Sequence, residues 1–220
     1  MRKVIAGVMM SLDGVMQAPG GPEEDPTGGF GFGGWVFPHF DEVLGQAMDK
    51  SFGAPFDLLL GRKTYEIFAA HWPYVGGDDP IGALFNKVTK YVATTSSAPL
   101  TWQNSVAVHD AVREVARLKQ QNGPVLLTQG SSALLQSLLK ANLIDEFRLS
   151  IFPVILGRGK RLFGEGINPV GLKLIDSNVS TTGVTINTYV RAGQVETGSF
   201  AQPSPSQAEL QRRERVKKEG

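Results

Sequence analysis

The chain contains no cysteine. Disulfides, zinc–thiolate sites, iron–sulfur clusters and thiol nucleophiles are therefore excluded. Histidine is scarce: His39, His71 and His109 stand far apart and form no HxxxH pair, which argues against a dedicated transition-metal site. No apolar run approaches the roughly 18 residues of a membrane span. The opening MRKVIAGVMMSLDG begins like a secretory signal, but its apolar run of about seven residues meets Asp13 without a small-residue cleavage site. A cytoplasmic protein that engages no membrane is expected. There is also no large excess of one charge, with 22 basic against 21 acidic residues. The last thirteen residues, AELQRRERVKKEG, hold five basic and three acidic side chains, leaving 17 basic and 18 acidic over residues 1–207. The body is not a basic nucleic-acid surface, and no nucleic-acid partner is expected.

What is present suffices for a substantial core. Of 220 residues, 41% are hydrophobic and 20% charged, which suits one large domain and excludes a wholly disordered chain. Residues 3–10 (KVIAGVMM) read as a strand buried on both faces, ended by the SLDG turn. A long irregular stretch, 15–38, follows with seven of the 26 glycines and four of the 13 prolines; a loop of this length is usually functional or disordered. Residues 39–52 read as a helix with Phe40, Val43, Leu44, Ala47 and Met48 on one face. Strands are expected at 56–61, 91–95, 105–108, 125–129 and 146–156, the last carrying a proline that marks an edge, bulge or strand end. Helices are expected over 61–72 and 81–88, over AVREVARLKQQ behind an Asp110 cap, and over 130–142. Segments 171–180 and 182–191 read as a closing antiparallel pair. This alternation followed by terminal strands predicts an α/β sheet, mostly parallel with an antiparallel edge. The domain spans residues 1–192, and 193–220 is a polar, charged tail expected to be mobile, with a helix docked on a neighbouring subunit as the alternative.

Three strand ends look alike: Gly61 after LLL, Thr94-Thr95-Ser96 after YVA, and Gln129-Gly130-Ser131-Ser132 after VLLT. In open α/β sheets ligands gather at carboxyl ends of strands, where glycine admits a phosphate and a helix start offers free N–H groups. Gly130 is the best pyrophosphate candidate, although Ser131 and Ser132 also suit a plain helix cap. Arg62 and Lys63, with Thr64 beside them, suit an anionic ligand or an ordinary solvated helix start. Thr95 and Ser96 are equally at home in a turn. Asp13 after the first strand and Asp41 with Glu42 at the first helix are candidate proton donors or substrate anchors; the plainer readings are an Asx-type turn and favourable helix-start charge. Gly29-Phe-Gly31-Phe-Gly33-Gly34 contains GxGxxG by letter but has no strand directly before it, so the dinucleotide fingerprint fails. Gly157-Arg158-Gly159-Lys160-Arg161 lacks phosphate-loop spacing and reads as a turn whose basic residues face water or ligand. No GxSxG nucleophile elbow occurs.

The motifs SLDG, LLLGRKTYE, YVATTS and VLLTQGSSALLQSLLKANLIDEFRLSIFPVILGRGKRLF together resemble the dihydrofolate-reductase-like superfamily, in particular the reductase domain of the bacterial riboflavin-biosynthesis deaminase-reductase. The resemblance covers about residues 2–192. It implies a three-layer fold, with helices on both faces of a mainly parallel sheet and antiparallel C-terminal edge strands. It also implies NADPH as cofactor, hydride transfer to a small heterocycle of pyrimidine or pterin type, and a homodimer. By position, Gly61, Arg62 and Thr64 would meet the ribose-phosphate side of the cofactor, Thr95 and Ser96 the adenosine 2′-phosphate, and Gln129, Gly130, Ser131 and Ser132 the pyrophosphate. Ser11 and Asp13 would face nicotinamide and substrate, and the 15–38 loop would act as a mobile lid. The acid that anchors pterin in folate reductases has its counterpart in Asp41, in a sequence context that matches poorly. Val15 follows SLDG where the riboflavin-type domain often carries lysine, which leaves the substrate open. The alternative function is a non-catalytic nucleotide-binding or regulatory module on the same fold; a weaker one is an interaction protein working through 204–220.

Overall fold

Strands form where the sequence is most continuously apolar, and the most apolar of them lie centrally in the sheet. The computed structural model describes residues 1–76, 78–201 and 203–219. Its strands are β1 (Val4–Ser11), β2 (Phe56–Gly61), β3 (Lys90–Ala93), β4 (Ser105–Val108), β5 (Val125–Thr128), β6 (Glu146–Phe152), β7 (Leu172–Val179) and β8 (Thr185–Arg191). Its helices are α1 (Glu42–Phe52), α2 (Arg62–Ala69), α3 (Pro80–Lys87), α4 (Ala111–Lys119), α5 (Ser132–Lys140) and α6 (Gln207–Glu219). One sheet of order β4-β3-β2-β5-β1-β6-β8-β7 results. Pairs β4·β3, β3·β2, β2·β5, β5·β1 and β1·β6 are parallel, while β8 runs antiparallel to both β6 and β7.

Strand alternation divides the core between the two faces. Val4, Ala6, Val8 and Met10 of β1 pack against Val115 and Leu118 of α4 and Leu134, Leu135 and Leu138 of α5. Ile5 points the other way, into a cluster with Leu58, Leu60, Tyr65 of α2 and Phe85 of α3. Truncating Leu135, which is fully buried, is expected to cost about 2–5 kcal/mol. A third cluster ties the 15–38 segment to the body: Val15, Ala18, Phe30, Trp35 and Val36 pack with Leu44, Phe152 and Val184.

Most element ends follow their local chemistry. β6 stops at Phe152 because Pro153 cannot extend the ladder, so the proline marks a strand end and the strand is shorter than the 146–156 reading. The first helix starts at Glu42, since Asp41 accepts the Leu44 N–H at 2.9 Å and caps it. Residues 37–39 form a separate 3-10 turn, and Phe40, read as sharing one helix face with Val43 and Leu44, precedes the helix and is exposed. Helix α6 in the tail carries Glu209 between Arg212 and Arg213; among the described residues no hydrogen bond or ion pair joins it to the body. No helix among the described residues is long and apolar enough to cross a membrane, and no group of three or more His, Asp or Glu side chains is arranged to hold a metal.

Candidate active site

The register of β3, β2 and β5 brings their carboxyl ends side by side, which gathers the three look-alike turns. Gly61 and Ser131 come so close that a Cβ at 61 would collide with the Ser131 hydroxyl. Gly130 has φ +113°, a conformation L side chains avoid, and a Cβ there would lie 3.2 Å from Thr64 Oγ1. Gly61, Thr64, Gly130 and Ser131 therefore form one contiguous cradle. Thr128 Oγ1 donates to the Gly130 carbonyl at 3.0 Å and fixes the turn from behind.

Helix starts at this cradle differ from the others. Asp41, Asp79 and Asp110 each accept a backbone N–H in the first turn of α1, α3 and α4. Helices α2 and α5 begin at Gly61 and Ser131 with no side-chain cap. Their free N–H groups and positive dipole ends therefore lie together beside the two glycines, an arrangement suited to a phosphate or pyrophosphate. Arg62 crosses this edge, donating to Glu66 at 2.6 Å and to the Ala98 carbonyl at 3.0 Å. Thr95 and Ser96 are exposed at the end of β3, and the Ser96 N–H donates to Thr94 Oγ1 at 3.0 Å.

Gln129 links the cradle to a cleft of about 1520 Å³. The cleft floor is the sheet face carrying Gly7 and Met9 of β1, Glu146, Arg148 and Ser150 of β6, and Thr188 of β8. Helix α1 supplies Val43, Ala47 and Lys50, α2 supplies Ile67 and Phe68, and the 15–38 segment supplies Met16, Glu24 and Phe37. Strand β6 is an alternating strand, with Phe147 and Leu149 in the core and Glu146, Arg148 and Ser150 on the cleft. That period of two is legible in EFRLSIF, but it names a face and no chemistry, so no motif marks these residues. Glu24 was missed for another reason, because nothing in a Gly/Pro-rich loop indicates which carboxylate turns inward. Its Oε2 accepts the Gly20 N–H at 2.6 Å, and burial pushes its pKa up from the ordinary glutamate value.

Neither Asp13 nor Asp41 lines this cleft. Asp13 accepts the Ser11 hydroxyl at 2.6 Å, the Leu156 and Gly157 N–H groups at 3.1 and 2.9 Å, and Arg161 at 3.0 Å. The Ser11 hydroxyl first, then these other donors, hold its carboxyl well below the usual carboxylate range against the opposing effect of burial. A carboxylate so held is ionised at neutral pH and has no proton to donate there. Ser11 is itself buried, its Oγ also accepting the Val15 N–H at 2.9 Å. Asp41 caps α1 and accepts both the N–H and the hydroxyl of Thr181, at 2.7 and 2.8 Å. Both aspartates thus anchor backbone. The basic turn at 157–161 faces protein carboxylates where water or ligand was expected: Lys160 pairs with Asp25 and Arg161 with Asp13. The 15–38 segment is pinned likewise, since the Gln17 side chain bonds the carbonyls of Asp25 and Thr27 and the Lys160 N–H, and Trp35 Nε1 donates to the Gln17 carbonyl.

This architecture is the α/β fold of the dihydrofolate-reductase-like superfamily. Dihydrofolate reductase from Enterococcus faecalis, complexed with NADP(H), matches it with a TM-score of 0.54 at 16% identity, over 86% of this chain and 96% of its own. A pyrimidine reductase-like protein from Corynebacterium diphtheriae matches with a TM-score of 0.57 at 13% identity, over 87% of this chain and 92% of its own. Within that class, residues 2–186 match the RibD C-terminal domain family, and the chain belongs to it. The uncharacterized protein YyaP of Bacillus subtilis is 27% identical over 197 residues, covering 86% of this chain and 94% of its own length.

Proposed function

We propose that this chain is an NADPH-dependent reductase that passes a hydride to a small heterocycle of pyrimidine or pterin type. The observation that carries the reading is the pair of uncapped helix starts, α2 and α5, meeting at Gly61 and Gly130 beside the large cleft. Family membership supports it, as do an NADP(H)-complexed fold relative and a pyrimidine reductase-like one. The cofactor, when bound, supplies the hydride. Gly61 makes room for Ser131 against it, Gly130 lets the phosphates approach the backbone, and Ser131, Ser132 and Thr64 offer hydroxyl donors. Thr95 and Ser96 would meet the adenosine 2′-phosphate, and Arg62 the ribose-phosphate side. Each charge-assisted hydrogen bond contributes about 1.5–3 kcal/mol to holding it. Gln129 leads from the phosphate cradle to the cleft, whose apolar walls exclude water from the reacting pair. Asp13 acts by position, fixing the turn after β1 against residues 156–161, while Glu24, its pKa raised by burial, is a carboxyl at the cleft itself.

Fluorescence titration with NADPH and NADH tests this. Selective NADPH binding, with oxidation by some member of a pyrimidine and pterin panel, is the expected result. Binding without oxidation across that panel would favour the regulatory-module reading, and no binding of either cofactor to folded protein would remove both. A homodimer belongs to the same proposal. Exposed Leu174, Ile175 and Val179 on edge strand β7 support it, and sedimentation of the purified chain tests it.

A further inference from the structure

The cleft has a charge inventory that bears on its substrate. Among the described lining residues the lysine and arginine side chains are Lys50 and Arg148, and both are already paired. Lys50 Nζ lies 2.9 Å from Asp176 Oδ2, and Arg148 Nε lies 2.8 Å from Glu146 Oε1. Glu24 adds a third carboxyl, and His71 reaches the lining from the turn after α2, so lysine and arginine number two against three carboxyls. The lining carries no surplus of lysine and arginine. Arg158, Lys160 and Arg161 are no reserve for it. Lys160 and Arg161 are paired with Asp25 and Asp13, and Arg158 lines a separate pocket of about 280 Å³ with Thr27 and Phe30.

A phosphate dianion brought here would lose its water and meet Glu146 and Asp176 with no unpaired lysine or arginine in return. The Glu146–Arg148 pair offers something different. It presents a carboxylate acceptor and a guanidinium donor side by side on the sheet floor, with Ser150 next on the same face and Thr188 opposite Arg148 in register. Arg148 is braced by a further bond to the Ser51 carbonyl at 3.2 Å, and the Glu146 and Arg148 side chains are only 11% and 28% exposed. A braced donor–acceptor pair on this floor, beneath apolar walls from α1 and α2, complements the amide or amino–oxo edge of a flat, neutral heterocycle.

We propose that the substrate of this cleft is an uncharged heterocycle bearing no phosphate, read on its hydrogen-bonding edge by Glu146 and Arg148. This rests on the reductase reading above for the place of the substrate, and narrows it.

The experiment is calorimetric titration of 5-aminouracil, pterin and uridine 5′-phosphate into NADPH-saturated and cofactor-free protein, with NADPH affinity measured separately on each sample. At least one unphosphorylated probe is expected to bind about tenfold or more tightly than uridine 5′-phosphate. Glu146→Gln and Arg148→Met should each weaken that probe by about tenfold, the loss of one charge-assisted contact, and leave NADPH affinity unchanged. Asp176→Asn, which releases Lys50 at an exposed position, should narrow the gap in favour of uridine 5′-phosphate. Tighter binding of the nucleotide, unaltered probe affinity in both floor variants, or binding of neither unphosphorylated probe to protein with a native melting profile overturns the proposal. Loss of NADPH binding alone, with the probe pattern intact in cofactor-free protein, would instead overturn the reductase reading.

Discussion

Two kinds of helix start coexist in this molecule. At α1, α3 and α4 an aspartate takes the orphan N–H groups, and at the turn after β1 Asp13 does the same for Leu156 and Gly157. At α2 and α5 no side chain does so, and glycine replaces bulk where those two starts meet. An aspartate in the cradle would stabilise the free chain and repel a phosphate. On the reading proposed here the contrast follows function: protein carboxylates satisfy backbone at α1, α3 and α4, and are withheld at α2 and α5, where the cofactor's phosphates would be held.

The largest expected effect comes from making the exception conform. Ser132→Asp places a carboxylate in the first turn of α5, where the dipole favours it by about 0.3–1 kcal/mol. Thermal stability of the cofactor-free chain should hold or rise. NADPH affinity should fall on the order of a hundredfold, because one favourable contact is replaced by repulsion. Stability and binding would then move in opposite directions, which a general disruption of the fold cannot produce. Gly130→Val attacks the same cradle sterically. Its φ of +113° and its closeness to Thr64 should cost about 1–3 kcal/mol of stability, and NADPH binding should weaken markedly. Unchanged affinity in either variant would remove the pyrophosphate site.

Asp13 tests the other side of the contrast. Its pKa is depressed, so it contributes stability above the unfolded-state value, near 3.9, which is lost as pH falls from there toward the folded value. Asp13→Asn should therefore lower the urea midpoint at neutral pH, by about 1.5–3 kcal/mol in free energy, and flatten the acid limb of stability below about pH 4. An unchanged acid limb would mean that this carboxylate is not the anchor its four donors suggest.

The legible parts of the sequence were those written in local chemistry. The run KVIAGVMM specifies a strand buried on both faces and Asp110 a helix start, and each appears in the structure within a few residues, while Pro153 left an edge, a bulge and a strand end open and the structure shows the last. The three strand-end turns could be found because glycine and hydroxyl residues after apolar runs have few other uses. The cleft was far less legible. Its walls come from α1, β6, β8 and the 15–38 loop, and only long-range pairing such as Arg148 with Thr188 brings them together. Proximity in sequence left Asp13 and Asp41 with two readings each, as site carboxylates or as an Asx-type turn and helix-start charge. Ser11 and Leu44 donate from two and three residues away, but the donors that tie both aspartates to the body, Leu156, Gly157 and Thr181, lie about 140 residues away, beyond any motif window.

The smallest effect is also the control for the comparison. Asp110 accepts the Arg113 N–H at 3.0 Å and caps α4, which follows the outer strand β4. Asp110→Ala should cost about 1 kcal/mol, the ordinary value of an N-cap, as read from a denaturant midpoint. NADPH affinity should stay the same, because β4 lies beyond β3 and carries none of the cradle residues. If removing this remote cap weakened the cofactor as much as Gly130→Val does, anion affinity would depend on the general integrity of the sheet. The absence of caps at α2 and α5 would then carry no information about what binds there. If affinity holds while stability falls by the expected amount, capping for the fold and openness for the ligand are separable properties of this sheet.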